Sequence, residues 1–199
     1  MQLTLPPSDR RRIARIRRDG VAATMLAAAV ALLLWIGEPL ALTPRGPPTN
    51  YIEVTPTIAT AGMPTRRQLR QIVEGDFAAV VNLAPSGVTG GIDDEQAIVE
   101  GARLLYVQVP VDFSRPLARD FRRFSQVMRD LQGRRVFVHC QMNMRASVFV
   151  FLYRAIELGT DPDVAFEAVQ RVWQPNAVWT RFISGELGSR KMHLPVALG

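Results

Sequence analysis

A chain of 199 residues is long enough for one domain plus an appendage, and its 48% hydrophobic and 21% charged residues are those of an ordinary folded protein. The net charge of +6 is concentrated at one end: residues 1–20 hold six Arg against Asp9 and Asp19, so the rest of the chain carries only +2. This asymmetry removes basicity as a sign of nucleic-acid binding, and a single Cys excludes an internal disulfide.

In chain order, the basic segment 1–20 precedes VAATMLAAAVALLLWI at 21–36, a run without charge. A basic flank before an apolar run reads as an export signal or a membrane anchor. As a helix the run spans roughly 24 Å, against ~30 Å for a bilayer core. Gly37 and a snorkelling Arg18 extend it, and Glu38 limits it. An uncleaved anchor over 21–37 is favoured over a cleaved signal, because the best cleavage site, Ala41-Leu42-Thr43, runs into Pro44. The Arg excess before the run puts the N-terminus in the cytoplasm and the remainder outside. Residues 38–50 are Pro-rich and read as a linker. A domain is expected over 51–187, with a tail at 188–199.

Within the domain, YIEV at 51–54 reads as a short strand. Thr65 caps a helix that runs to Val73 and stops at Gly75. FAAVVNLA at 77–84 is a buried strand, PSGVTGG at 85–91 a loop, and Asp93 or Asp94 starts a helix to Gly101. LLYVQVPV at 104–111 is a further strand. Residues 117–132 have helical spacing, with Leu117, Phe121, Phe124, Val127, Met128 and Leu131 on one face. RVFVH at 135–139 is the most hydrophobic strand, and 145–158 form a helix apolar almost all round. Two more helices follow near 162–173 and 176–184. This alternation predicts an α/β fold with a central, mainly parallel sheet flanked by helices, preceded by one N-terminal transmembrane or signal helix.

In such sheets, ligands bind at the carboxyl ends of the strands. Cys140 ends the central strand, and residues 141–145 then wrap over the N-terminus of the buried helix. Free N–H groups and the helix dipole favour an anion there, and Arg145 supplies a two-pronged donor for an oxyanion. A thiol beside an anion cradle suits attack on phosphorus or sulfur. SGVTGG lacks the Lys-Ser/Thr of a nucleotide loop and is placed at the rim of the site. Trp173 and Trp179 are expected to pack the last helices. Two His and one Cys do not make a metal site, and no cofactor is expected.

VHCQMNMRAS resembles the signature loop of the cysteine-dependent, dual-specificity-type protein phosphatases. ATAGMPTRRQL followed by GDFAAVVNLAP is similar to the opening of the bacterial phosphatase-like domains also found in beta-lactamase-hydrolase-like proteins, and WQPNAVWTRFI to their closing helix. YVQVPVDF resembles the stretch that carries the general acid. The similarity covers roughly residues 51–184. It implies a phosphatase-like hydrolase of phosphate monoesters in which Cys140 is the nucleophile and Arg145 holds the phosphoryl oxygens. In that reading Asp112 is the acid and base, Gln141, Met142, Asn143 and Met144 form the cradle, His139 orients it, and Ser147 bonds the sulfur. It also implies a phosphorylated substrate and, with the N-terminal segment, a bacterial inner-membrane protein whose domain faces the periplasm. The sequence departs from the family in placing four residues, not five, between Cys and Arg: either the loop is one residue short, or it has full length with Ala146 where Arg belongs and Arg145 displaced. Asn143 stands where a Gly is usual, and Ser147 lies two residues after the Arg. The shorter spacing resembles the rhodanese-type loop, which makes a sulfurtransferase with a Cys140 persulfide one alternative. A non-catalytic anion- or phosphoprotein-binding module is another.

Overall fold

The computed structural model describes residues 46–198, and the expected cytoplasmic segment and membrane helix lie outside these residues. Among the described residues no helix is long and apolar enough to cross a membrane. The sheet has five strands: β1 (Ile52–Thr55), β2 (Ile58–Ala61), β3 (Ala79–Asn82), β4 (Leu105–Gln108) and β5 (Val136–His139). Their order is β1-β2-β5-β3-β4, with β1 antiparallel to β2 and every other pair parallel. The expected mainly parallel sheet is therefore present, with β5 at its centre. β2 is a strand that the sequence pattern did not suggest. Its residues, IATA, are small and follow Pro56, so they show no apolar alternation, yet all four are buried.

Among the described residues six α-helices flank the sheet: α1 (Arg66–Val73), α2 (Glu95–Gly101), α3 (Ala118–Asp130), α4 (Met144–Ile156), α5 (Pro162–Gln170) and α6 (Ala177–Gly188). Successive strand residues face opposite sides, and two cores result. Ala59, Ala61, Val80 and Phe137 meet Leu69 and Ile72 of α1 and Val99 of α2. On the other face, Ile58, Val81, Val136 and Val138 meet the larger set from α3 to α6, including Phe121, Phe124, Phe149, Phe166 and Trp179. α4 is buried on nearly every side, as its composition requires.

Thr65 caps α1 as expected. Its hydroxyl accepts from Gln68 N–H while the Gln68 side chain accepts from Thr65 N–H, a reciprocal capping box. Residues on both sides of 51–187 make contacts with the domain. Gly46 accepts a hydrogen bond from Gln68 (2.9 Å), and Met192 and Leu198 pack against the larger core. His193 lies 3.4 Å from Asp163, so the segment after α6 is held against the domain.

Candidate active site

Parallel pairing aligns the carboxyl ends of β2, β5 and β3, bringing Ala61, His139 and Asn82 into register. Cys140 follows immediately and is 1% exposed. The loop then reverses into α4 through Asn143, whose φ of 67° is left-handed. Asn tolerates that conformation better than most non-glycine residues. Asn143 does not cap its own helix. Its Nδ2 instead donates to the Asn50 carbonyl (2.6 Å) and the Thr60 hydroxyl (3.0 Å).

The carbonyls of the loop are turned outward and occupied. Gln141 O accepts from Met63 N–H (3.1 Å), and Met142 O accepts from Asn50 Nδ2 (3.1 Å). Gly62 makes this close approach possible: a Cβ there would lie 3.0 Å from Gln141 O and 3.1 Å from Thr49 O. Residues 49–50, at the end of the expected linker, thus brace the loop after Cys140. The first bond of α4 runs from Ser147 N–H to Asn143 O (2.8 Å). The N–H groups of Met144, Arg145 and Ala146 therefore have no partner within the helix, and the helix dipole adds positive potential at this end.

Cys140, Gln141, Met142, Met144, Arg145 and Phe113 line a cavity of about 240 Å³. Arg145 is 8% exposed, its guanidinium lies 5.4 Å from the centre of the Phe113 ring, and its buried Nε has no hydrogen-bond partner. Helical side chains tilt toward the N-terminus, so Arg145 leans back over the loop despite the short spacing. Phe113 is fixed in turn by Trp179, whose Nε1 donates to the Phe113 carbonyl (3.0 Å), and by tilted ring contacts with Trp173 and Trp179. The two tryptophans pack the last helices as expected, and they also hold this wall of the cavity.

Three of the expected residues have partners the sequence did not reveal. Ser147 donates its hydroxyl to the Met144 carbonyl (3.1 Å), an ordinary intrahelical bond, rather than to the sulfur. Asp112 neighbours the cavity through Phe113, but its exposed carboxylate accepts from the hydroxyl (2.7 Å) and N–H (2.8 Å) of Ser114. Those bonds hold its carboxyl below the usual range. His139 is fully buried with Nε2 2.8 Å from Glu95 Oε1. The approach lies off the line of a directed hydrogen bond, so charge and contact govern the pair.

Glu95 was not anticipated as part of the site. Its other oxygen accepts from Asn82 Nδ2 (2.8 Å) and Tyr106 OH (3.2 Å). Burial works to raise the Glu95 carboxyl, but the His139 contact and charge, with the Asn82 and Tyr106 bonds, outweigh it and hold the group down. Burial and the Glu95 charge push Tyr106 up to about 12, so it remains a neutral donor. An acidic residue at the start of a short helix carries no sequence signal for this role. Only the register of β3, β4 and β5 brings the four side chains together. Elsewhere, Asp161, Asp163 and His193 hold ligand-type atoms within 4.8 Å of one another, but Asp161 caps α5 and Asp163 accepts from Val196 N–H (2.7 Å).

No protein-family model matches the sequence, and neither does any curated protein. Solved structures do match. A DUF442 protein and candidate phosphatase from Shewanella putrefaciens CN-32 is 26% identical, with a TM-score of 0.65 over 73% of this chain and 95% of its own. Tk-PTP in its active form is 21% identical, with a TM-score of 0.56 over 70% and 95%. PTPMT1 in complex with PI(5)P is 16% identical, with a TM-score of 0.59 over 68% and 93%. The chain has the fold of these solved phosphatase-like structures, with a cysteine at the head of the central helix.

Proposed function

We propose that the protein hydrolyses phosphate monoesters through a cysteinyl-phosphate intermediate. The observation that carries this reading is that Cys140 and Arg145 line one cavity at the N-terminus of α4. The phosphoryl oxygens take the N–H groups of the loop and the guanidinium of Arg145. The Cys140 thiolate attacks phosphorus, forming the S–P bond as the P–O bond to the alcohol breaks. Asp112, released from Ser114, gives its proton to the departing alkoxide. The resulting carboxylate then takes a proton from water, whose oxygen attacks phosphorus, and the S–P bond breaks to release phosphate and restore the thiolate. Glu95 and the buried His139 fix the floor beneath the nucleophile.

The test is turnover of p-nitrophenyl phosphate under reducing conditions by the parent, Cys140→Ser and Asp112→Asn. Abolished activity in Cys140→Ser and reduced activity in Asp112→Asn are expected; equal turnover by Cys140→Ser would refute the reading. The four-residue spacing favours sulfur transfer as a second reading. Mass spectrometry after thiosulfate treatment would then show one added sulfur on Cys140, and an unmodified thiol ends that alternative. The apolar run at 21–36 is proposed to anchor the domain outside the cytoplasm, which protease accessibility in intact cells tests.

A further inference from the structure

A second cavity of about 240 Å³ lies beside the first. Its floor is set by strand register: Asn82 pairs with His139, and Gln108 with Asn82. Parallel strands lie about 4.8 Å apart, so the floor begins one strand from the residue preceding Cys140. The cavities share a wall, because Met63 lines the second and its N–H bonds Gln141 O, while Gln141 lines the first. The Gln141 side chain also donates to the Thr89 carbonyl (3.3 Å), tying the rim loop to the nucleophile loop.

Among the described residues no Lys or Arg lines this second cavity, whereas Asp93 and Glu95 do. Each of its side-chain amides already gives at least one N–H to the protein. Asn82 Nδ2 goes to Glu95, Gln96 Nε2 to Glu100 (2.9 Å), and Gln108 Nε2 to Ala84 O (3.1 Å). The Tyr106 hydroxyl donates to Glu95 (3.2 Å). The charged group left facing a ligand is the Asp93 carboxylate; the second N–H and the amide oxygens of Gln96 and Gln108 are neutral, and Gln108 Oε1 accepts from Ser86 Oγ (3.4 Å). Such a lining is matched by a cation with several N–H donors and opposes a second phosphate.

We infer that this cavity receives the leaving group of the substrate and selects phosphate monoesters whose alcohol carries a protonated amine, against those carrying a second phosphate. The inference rests on the phosphatase reading and names the substrate class of that site. The experiment measures kcat/KM of the full chain in detergent for aminobutyl phosphate, butyl phosphate and butanediol bisphosphate, with p-nitrophenyl phosphate alongside. The amine ester should exceed the butyl ester by about three- to tenfold, with the bisphosphate lowest. Asp93→Asn should shrink the amine-to-butyl ratio toward one. Equal values for the three esters, or a bisphosphate advantage, with p-nitrophenyl phosphate still turned over, would overturn the inference alone. Absence of all turnover by the folded, reduced protein would overturn the phosphatase reading and this inference with it.

Discussion

Replacing Glu95 by Gln keeps the shape of the side chain and removes its charge. Two hydrogen bonds, from Asn82 at 2.8 Å and Tyr106 at 3.2 Å, change from charge-assisted to neutral. Charge-assisted bonds contribute roughly 1.5–3 kcal/mol and neutral ones roughly 0.5–1.5 kcal/mol, so the two conversions cost about 2–3 kcal/mol. The His139 contact at 2.8 Å also loses its charge, while relief from burying a carboxylate works the other way. A net loss of about 2 kcal/mol at neutral pH results, or a fall in Tm of about 4–8 °C for a domain of this size. The folded carboxyl of Glu95 lies below its ordinary value. Its stabilising contribution is therefore complete above the unfolded value of about 4.3 and is lost as pH falls through the folded value. Urea denaturation of parent and Glu95→Gln, from about pH 7 to about pH 3, should show two curves converging in acid. A stability difference that stays constant over this range would refute the argument that the buried carboxylate is ionised.

Asn143→Gly relieves the left-handed backbone but deletes the bonds to Asn50 and Thr60, for a loss of about 1 kcal/mol; Asn143→Ala keeps the strain and loses about 2–3 kcal/mol, an order that thermal melts check. Phe149 is fully buried against Phe121, Phe124, Trp179 and Phe182. Phe149→Ala should cost about 3–5 kcal/mol in chemical denaturation. Ser114→Ala removes the hydroxyl that does most to hold the Asp112 carboxyl down. A general acid works protonated, so the high-pH limb of kcat against pH should move upward; an unmoved limb would mean that Asp112 is not the acid.

Much of this architecture is legible because periodicity and composition report burial. VFVH at the sheet centre and the apolar α4 could occupy few other places, and both are buried. Thr65 announced its helix through a local hydrogen bond that depends on four consecutive residues. β2 was hidden because IATA has neither bulk nor alternation, and it becomes a strand only through pairing with β5. Glu95 was hidden for a related reason. Its three partners, Asn82, Tyr106 and His139, are distant in sequence and meet only across three strands. Local signals locate the elements and the loop after β5, whereas the buried polar groups beneath that loop depend on register.

The spacing of Cys140 and Arg145 sets the hardest requirement on the site. One residue fewer in the loop shortens the arc over the helix terminus, and three features accommodate it. Asn143 turns the chain in a left-handed conformation that most residues avoid. The carbonyls of Gln141 and Met142 are tied to Met63 and Asn50, which fixes the path of the loop. Arg145, in the first turn of α4, leans back toward the loop, and its guanidinium lies over the Phe113 ring at 5.4 Å. The Arg145 guanidinium thus rests on Phe113, and Phe113 is held by Trp179 through the 3.0 Å bond to its carbonyl. If this chain of supports is correct, Trp179→Phe, which keeps an aromatic ring and deletes that bond, should weaken competitive inhibition by inorganic phosphate several-fold (about 1 kcal/mol). An unchanged inhibition constant in a folded Trp179→Phe protein would show that Arg145 is placed without it.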